Sequence, residues 1–419
     1  MRSSIFKGDK ALWVIYGFLT IISIVEVFSA TSTLAYRAKE SFMRPMIGHL
    51  FVIGLSFCFI WLISVQKRSF FRNALLWSYP IAFGLLLFVM ATGSSVNNAT
   101  RWIRIAGFTI QPSEVFKFAL VILSATLLSG RIRMSKQRVF IIYWIAAFIP
   151  IGLIALENLS TGLFLGLFVM IFSWIALAPK KPYARLWLAF LTVGALGLTL
   201  LLVLSDNQLD ALHHRAPTWK SRVESIVGID DMDKSKLTDA QIDSLKYVIN
   251  DDNFQSQHAK IAIANSRFWG VLPGNSLERD ILPQAYSDYI YAIIIEELGV
   301  IGMIVVPLLY FWLLFRIAQL STRTDNKYYK YLLWGFGLIY PLQAMINFTV
   351  VADFLVTGQT LPLISRGGTS FLMTSLAFGV MIGVSNIIEK EREAKLTHAD
   401  ETGTPEVKEE KDYDQESNH

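Results

Sequence analysis

A chain of 419 residues that is 53% apolar and 17% charged, with a mean hydropathy of +0.45, is too apolar for an ordinary soluble domain and too charged to be lipid-facing helix throughout. It reads as a polytopic membrane protein with substantial loops. The formal charge of +5 and pI near 9.1 do not point to nucleic acid, because the basic residues sort by membrane side, and the single cysteine, Cys58, excludes a disulfide within the chain.

The first apolar run, 11–30, follows Arg2, Lys7 and Lys10. Those flanks resemble a secretory signal cleaved after Ala35, but an apolar core of roughly 20 residues is too long for one, so the run is expected to be an uncleaved span. Further spans are expected at 46–65, 73–93, 113–129, 138–156, 159–178, 184–205, 287–315, 331–353 and 363–387, which makes ten in an all-α fold.

Three short connections, 66–72, 130–138 and 179–185, are strongly basic and alternate with less basic ones, which places them in the cytoplasm. Arg316, Arg323, Lys327 and Lys330 fall on the same side, as do both termini. The segment 206–286, between spans seven and eight, then lies outside. Its middle, 228–253, is rich in Asp and Lys and poor in large apolar residues, so a partly helical lid is expected there. Residues 1–388 form the membrane domain, and 389–419 are expected to be a disordered cytoplasmic tail. The sequence shows no fixed-period repeat, P-loop or His-rich tract.

Polar residues in membrane positions are the functional candidates. Pro112 and Glu114 suit the start of the fourth span, and Lys117 is three residues on, on the same face. A self-neutralising structural pair and an anion site are both consistent with this. Arg101, Arg104 and Lys117 put three cations at the outer surface, where phosphate or pyrophosphate is the natural guest. Arg366 adds another, beside Gly367 and Gly368, which allow close approach of a ligand or a second helix. In the outer loop, 254–264 suggests a surface amphipathic helix, although Ile261 and Ile263 do not share a face.

The eighth span carries three carboxylates. Asp288 is at its mouth, and Glu296 is eight residues further on, about 12 Å deeper, with Glu297 on nearly the opposite face. Taken alone, an Asp at a helix's first turn is more often a cap than a catalyst. Either glutamate would also suit an ion pathway, as in a transporter.

Four motifs occur together and in order. They are Arg101-Trp-Ile with Gln111-Pro-Ser-Glu and Lys117; Leu282-Pro-Gln-Ala-Tyr-Ser-Asp-Tyr-Ile-Tyr-Ala with Glu296-Glu-Leu-Gly299; Gln343-Ala-Met-Ile-Asn347; and Gly358-Gln-Thr-Leu-Pro-Leu-Ile-Ser-Arg-Gly-Gly-Thr-Ser370. Over about 11–388 the chain resembles the SEDS family, the bacterial shape, elongation, division and sporulation proteins, with the same ten-span plan. Trp269-Gly-Val-Leu-Pro-Gly-Asn-Ser276 makes it more FtsW-like than RodA-like.

The resemblance implies a peptidoglycan glycosyltransferase of the bacterial inner membrane, acting at the division septum. It would polymerise lipid II, an undecaprenyl-pyrophosphate-linked disaccharide peptide, on the outer face. The essential carboxylate maps onto Asp288, and Arg101, Glu114, Lys117, Gln257, Gln359 and Arg366 are the candidate substrate-binding residues. A divalent cation, Mg or Mn, is a candidate cofactor. A class B penicillin-binding protein transpeptidase and other divisome proteins are the implied partners. Rival readings are a lipid II flippase, an elongation-type polymerase and a non-catalytic scaffold. The chain departs from the family pattern at Asn158, where an Asp is usual, and at Arg366, where a Tyr is usual.

Overall fold

The computed structural model describes residues 6–402 apart from 38–42, 93, 97–98, 106–107, 133, 178–180, 213–215, 228–248, 250–252, 283–284 and 353–357. The first half of the chain forms helices α1 (Lys10–Arg37), α2 (Met43–Ser64), α3 (Arg68–Asn73) and α4 (Ser78–Thr92), strands β1 (Ser94–Val96), β2 (Ala99–Ile105) and β3 (Phe108–Ile110), and helices α5 (Pro112–Leu128), α6 (Lys136–Glu157), α7 (Leu159–Leu177) and α8 (Lys181–Val203). The outer segment and last spans form α9 (Asp206–Leu212), α10 (Ala216–Val227), α11 (Phe254–Asn265), α12 (Ile290–Thr322), α13 (Lys327–Val351) and α14 (Gly368–Thr402).

Among the described residues, eight helical stretches are long and apolar enough to cross a membrane. Helices α5 and α8 occupy the other two positions expected from the sequence. Helix α5 is buried along most of its length, from Phe116 to Leu128, as an apolar helix packed on every side must be. It packs against α4, α6, α7, α13 and α14, which makes it a central post. Helix α14 packs along α2 and α5.

Three expectations are corrected. Helix α14 continues through Thr402, so residues 389–402 are helical and not a disordered tail; 403–419 lie outside the described residues. The loop before α5 carries a three-stranded antiparallel sheet in the order β1-β2-β3, with Ile103 opposite Ile110 and Ile105 opposite Phe108. Its β-branched and aromatic residues favour strands. The segment 254–264 is a helix, but its buried face is Ala259 and Ala262, which pack it against α12 and α13. The acidic middle of the outer segment falls on undescribed residues.

Helix α12 is also not continuous. At Gly299 the backbone turns to φ 63°, ψ −146°. Such a break frees backbone groups that hydrocarbon cannot satisfy, and the outer loop satisfies them. The N–H groups of Val271 and Leu272 donate to the carbonyls of Glu296 and Glu297, each at 2.9 Å, and Val300 N–H donates to Phe268 O at 3.1 Å. Two glycines permit this approach. A Cβ on Gly270 (φ 75°) would overlap the Glu297 carbonyl, and one on Gly299 would overlap Phe268 O. Gly270→Ala should therefore lower stability by about 2 kcal/mol or more, read as a lower unfolding midpoint of the purified protein in detergent. An unchanged midpoint would show that the loop does not seal the break.

Candidate active site

The candidate residues gather at one end of the bundle, around the segment that joins α13 to α14. Asp288 stands before the helix and does not cap it. The N-cap of α12 is Tyr289, which makes no side-chain capping bond, and the first helical residue is Ile290. Asp288 is half-buried. Ser287 Oγ donates to its Oδ1 at 2.9 Å. Its other oxygen faces Gly358, where a Cβ would come to 3.0 Å from Oδ2, so a larger residue there would crowd the carboxylate.

Residues 358–360 form a strap held by one face of α13. Asn347 Nδ2 donates to the carbonyls of Asp288 (2.8 Å) and Gln359 (2.7 Å). One turn earlier, Gln343 Nε2 donates to Thr360 O at 2.7 Å. Gln359 Nε2 donates to Thr161 Oγ1 of α7 at 2.8 Å. Thr161 N–H in turn donates to Asn158 Oδ1 at 3.3 Å, so the residue that departs from the family pattern serves as the cap of α7.

Beyond the strap, Leu361–Ser365 form a tight turn in which Leu363 adopts φ 61°, a costly conformation for a leucine. Ser365 fastens it, accepting from Leu361 N–H at 2.7 Å and donating to Ser287 O at 2.6 Å. Ser23 Oγ donates to Ile364 O from α1 at 2.9 Å. Arg366 N–H donates to Tyr286 O at 2.9 Å, and its guanidinium lies 5.4 Å from the Tyr286 ring centroid. The arginine that replaces the family's tyrosine thus covers the segment leading to Asp288.

Lys117 is 2% exposed and saturated. Its Nζ lies 2.6 Å from Glu114 Oε2, donates to Gln343 Oε1 at 2.6 Å and sits 5.4 Å from the Tyr340 ring centroid. Of the two readings left open by the sequence, this geometry matches the structural pair, which supports the strap through Gln343. Gln359 is likewise 5% exposed and bonded inward. Gln257 is half-buried on α11, and no side-chain hydrogen bond joins it to the strap among the described residues. Arg101 and Arg104 have only their backbone described. Arg104 pairs with Thr109, whose carbonyl accepts from Thr369 Oγ1 at 2.7 Å, so β2 is tied to the first turn of α14. A Cβ on Gly368 would meet open space, so the glycine pair does not serve helix packing there.

Beside the strap lies a small open groove lined by Leu86, Val89, Met90, Leu153 and Ile154 together with Gln111, Ser113, Glu157 and Asn158. Gln111 N–H donates to Thr369 Oγ1 at 3.3 Å and Asn158 leads through Thr161 to Gln359, so both rim residues connect to the strap. Among the described residues no three His, Cys, Asp or Glu side chains converge.

This is a multi-pass helical membrane protein with a half-buried carboxylate at one end of its bundle. The family model of the FtsW, RodA and SpoVE cell cycle proteins matches residues 9–390, and the chain belongs to that family. It is 27% identical over 93% of its length to a probable peptidoglycan glycosyltransferase FtsW of Enterococcus hirae, covering 96% of that protein. It is 28% identical over 92% of its length to a protein of the same description from Coxiella burnetii, covering 98%. Among solved structures, a chain of a peptidoglycan synthase complex, described as coordinating polymerisation and crosslinking, superposes with a TM-score of 0.68 at 19% identity, over 91% of this chain and 98% of that one. The rod shape determining protein RodA of Thermus thermophilus gives 0.61 at 19% identity, over 90% and 96%.

Lys117→Met leaves Glu114 buried beside no cation and should cost about 3–5 kcal/mol. The paired change Glu114→Gln with Lys117→Met should recover most of the loss. Thermal unfolding in detergent reads both, and a single variant as stable as wild type would show that the pair does not hold the site.

Proposed function

We propose that the chain polymerises lipid II during bacterial cell division, with Asp288 as general base. It is a peptidoglycan glycosyltransferase of the inner membrane, as its curated relatives are described. The observation that supports the site assignment is the Asp288 carboxylate, half-buried just before α12, with one oxygen on the Ser287 hydroxyl and the other against Gly358.

Asp288 takes the proton of the acceptor sugar's 4-hydroxyl while that oxygen bonds to the anomeric carbon of the donor strand. The bond from that carbon to the pyrophosphate breaks, and undecaprenyl pyrophosphate leaves with the bonding electrons through an oxocarbenium-like transition state. Arg366, the first turn of α14 and the cations of β2, Arg101 and Arg104, meet the pyrophosphate, since a helix N-terminus and guanidinium groups favour anions. Glu114 and Lys117 hold the strap from below. Gln359 positions the strap, and Gln257 contributes from α11. The apolar groove between α4, α5 and α6 receives the prenyl chain.

The ten-span arrangement with both termini in the cytoplasm agrees with the basic connections. In that arrangement the constellation faces the outer side of the membrane, and a division polymerase acts at the septum. A class B penicillin-binding protein is the natural partner, because the strands made here require crosslinking; the synthase-complex neighbour supports a partner of this kind.

Asp288→Asn should lower glycan polymerisation by about 10²–10⁴-fold while leaving the unfolding midpoint unchanged. Lipid II is supplied in detergent, where flipping has no meaning, with and without the transpeptidase. Polymer from wild type and none from the variant excludes a flippase, and near-wild-type polymer from the variant overturns the assignment of the base.

A further inference from the structure

The loop 266–282, which seals the break in α12, has the reverse of the polarity expected of a loop in water. Ser266, Ser276 and Glu278 are buried, whereas Phe268, Trp269 (70% exposed), Leu272, Leu277 (68%) and Ile281 are exposed. A loop facing water exposes its polar groups and covers its large apolar ones. Here the polar side chains are bonded inward. Ser266 Oγ donates to Ile263 O at 2.7 Å, Ser276 Oγ donates to Glu296, Glu278 Oε2 lies 2.7 Å from His258 Nδ1, and Arg279 Nη1 donates to Ser29 Oγ of α1 at 2.9 Å. Arg267 and Asn275 are the exposed polar residues of the loop.

Backbone bonds set the depth of this loop. Val271 and Leu272 donate to the carbonyls of Glu296 and Glu297, so the loop lies alongside α12 about 10 Å in from Ile290, the first helical residue. Beyond the break, α12 exposes Ile301, Ile304, Val305 and Leu308, the face that a membrane-spanning helix turns to lipid. Val300 N–H is bonded to Phe268 O, so the apolar surface of the loop adjoins that face.

Non-helical backbone at such a depth must be satisfied from within. The N–H groups of Gly270, Gly274, Asn275, Leu277, Arg279 and Leu282 donate to Ser266 O, Glu297 Oε1, Leu272 O, Glu296 Oε1, Ser276 Oγ and Glu278 O at 2.8–3.3 Å. Pro273 has no N–H to satisfy. An exposed apolar patch marks a protein partner or a membrane, and the depth, the closed backbone and the adjoining face of α12 all favour the membrane.

We propose that residues 266–282 form a re-entrant element set into the bilayer, with Phe268, Trp269, Leu272, Leu277 and Ile281 among the lipid acyl chains of the leaflet at the Asp288 end of the bundle. Arg267 extends from it toward the lipid headgroups, as long cationic side chains do at a membrane boundary. The element shields the Gly299 break from lipid and anchors the segment that runs on to Asp288. It does not depend on the reaction assigned to Asp288.

The test uses the full chain in phosphatidylcholine–phosphatidylglycerol liposomes. In a Cys58→Ser background, a nitroxide is attached at Trp269→Cys or Leu277→Cys, with Ile304→Cys as the lipid-facing reference and Asp325→Cys as the aqueous one. The expected result at both loop positions is frequent collision with oxygen and rare collision with a water-soluble nickel chelate, as at the Ile304 position and the reverse of the Asp325 position. Nickel access equal to that of the aqueous reference overturns the proposal, because the loop then faces water. Low access to both reagents overturns it in favour of a protein neighbour. If the labelled variants do not fold, the wild-type chain is irradiated in liposomes carrying a phosphatidylcholine with a diazirine along one acyl chain. Adducts on the 266–282 peptide as well as on the 301–315 peptide support the proposal, and adducts on the second peptide alone overturn it.

Discussion

One amide group fastens the end of the bundle that carries Asp288. Asn347 places its two N–H groups on two backbone carbonyls from distant parts of the chain, those of Asp288 and Gln359. Both carbonyls belong to non-helical segments, and Asn347 is fully buried, so leaving them unsatisfied would be costly. Gln343, four residues earlier and on the same face of α13, repeats the device toward Thr360 and accepts from Lys117. The position of Asp288, the path of the strap and the seating of the buried ion pair therefore depend on one helix face.

A membrane-spanning helix uses its own backbone groups internally and has few left to offer a substrate. The site is accordingly assembled from places where helices stop. Asp288 precedes α12, the strap follows α13, Gly368 opens α14 and Asn158 lies at the junction of α6 and α7. Each interruption is matched by a side chain that takes up the freed groups: Asn347 and Gln343 for the strap, Ser365 for the turn after it, Asn158 for α7. The break at Gly299 is the one case among these where the outer loop's own backbone does so.

How much of this could be read from the sequence follows from the range of each interaction. Apolar runs are local, so the helices were legible at most of their starts, whereas the ends of α1, α12 and α14 lie seven to fifteen residues beyond the expected ones because polar residues continue the helix past the apolar run. The Glu114–Lys117 pair was legible as a spacing, but its third partner, Gln343, is 226 residues away from Lys117 and carries no local signal. The glycine break was masked because apolar residues run straight through 298–301, and only the opposing Gly270 shows that the backbone turns there. The sheet had a usable signal: Ile103-Arg-Ile105 and Phe108-Thr-Ile110 alternate on either side of two residues, a hairpin pattern.

Three carboxylates of one stretch are separated by their neighbours and not by their chemistry. Glu296 and Glu297 have no exposed surface and receive donors from the loop 274–277, so their oxygens are used in holding that loop to the helix. A group so enclosed cannot exchange a proton with a sugar hydroxyl without dismantling the contacts that hold it. Asp288 keeps part of its surface open, takes a serine hydroxyl on one oxygen and faces a glycine with the other. Access is what a general base needs in addition to a suitable proton affinity. The same sequence region thus supplies both the rigid support and the one carboxylate of the three that keeps exposed surface, and the residue type opposite each carboxylate, loop amide or glycine, separates them.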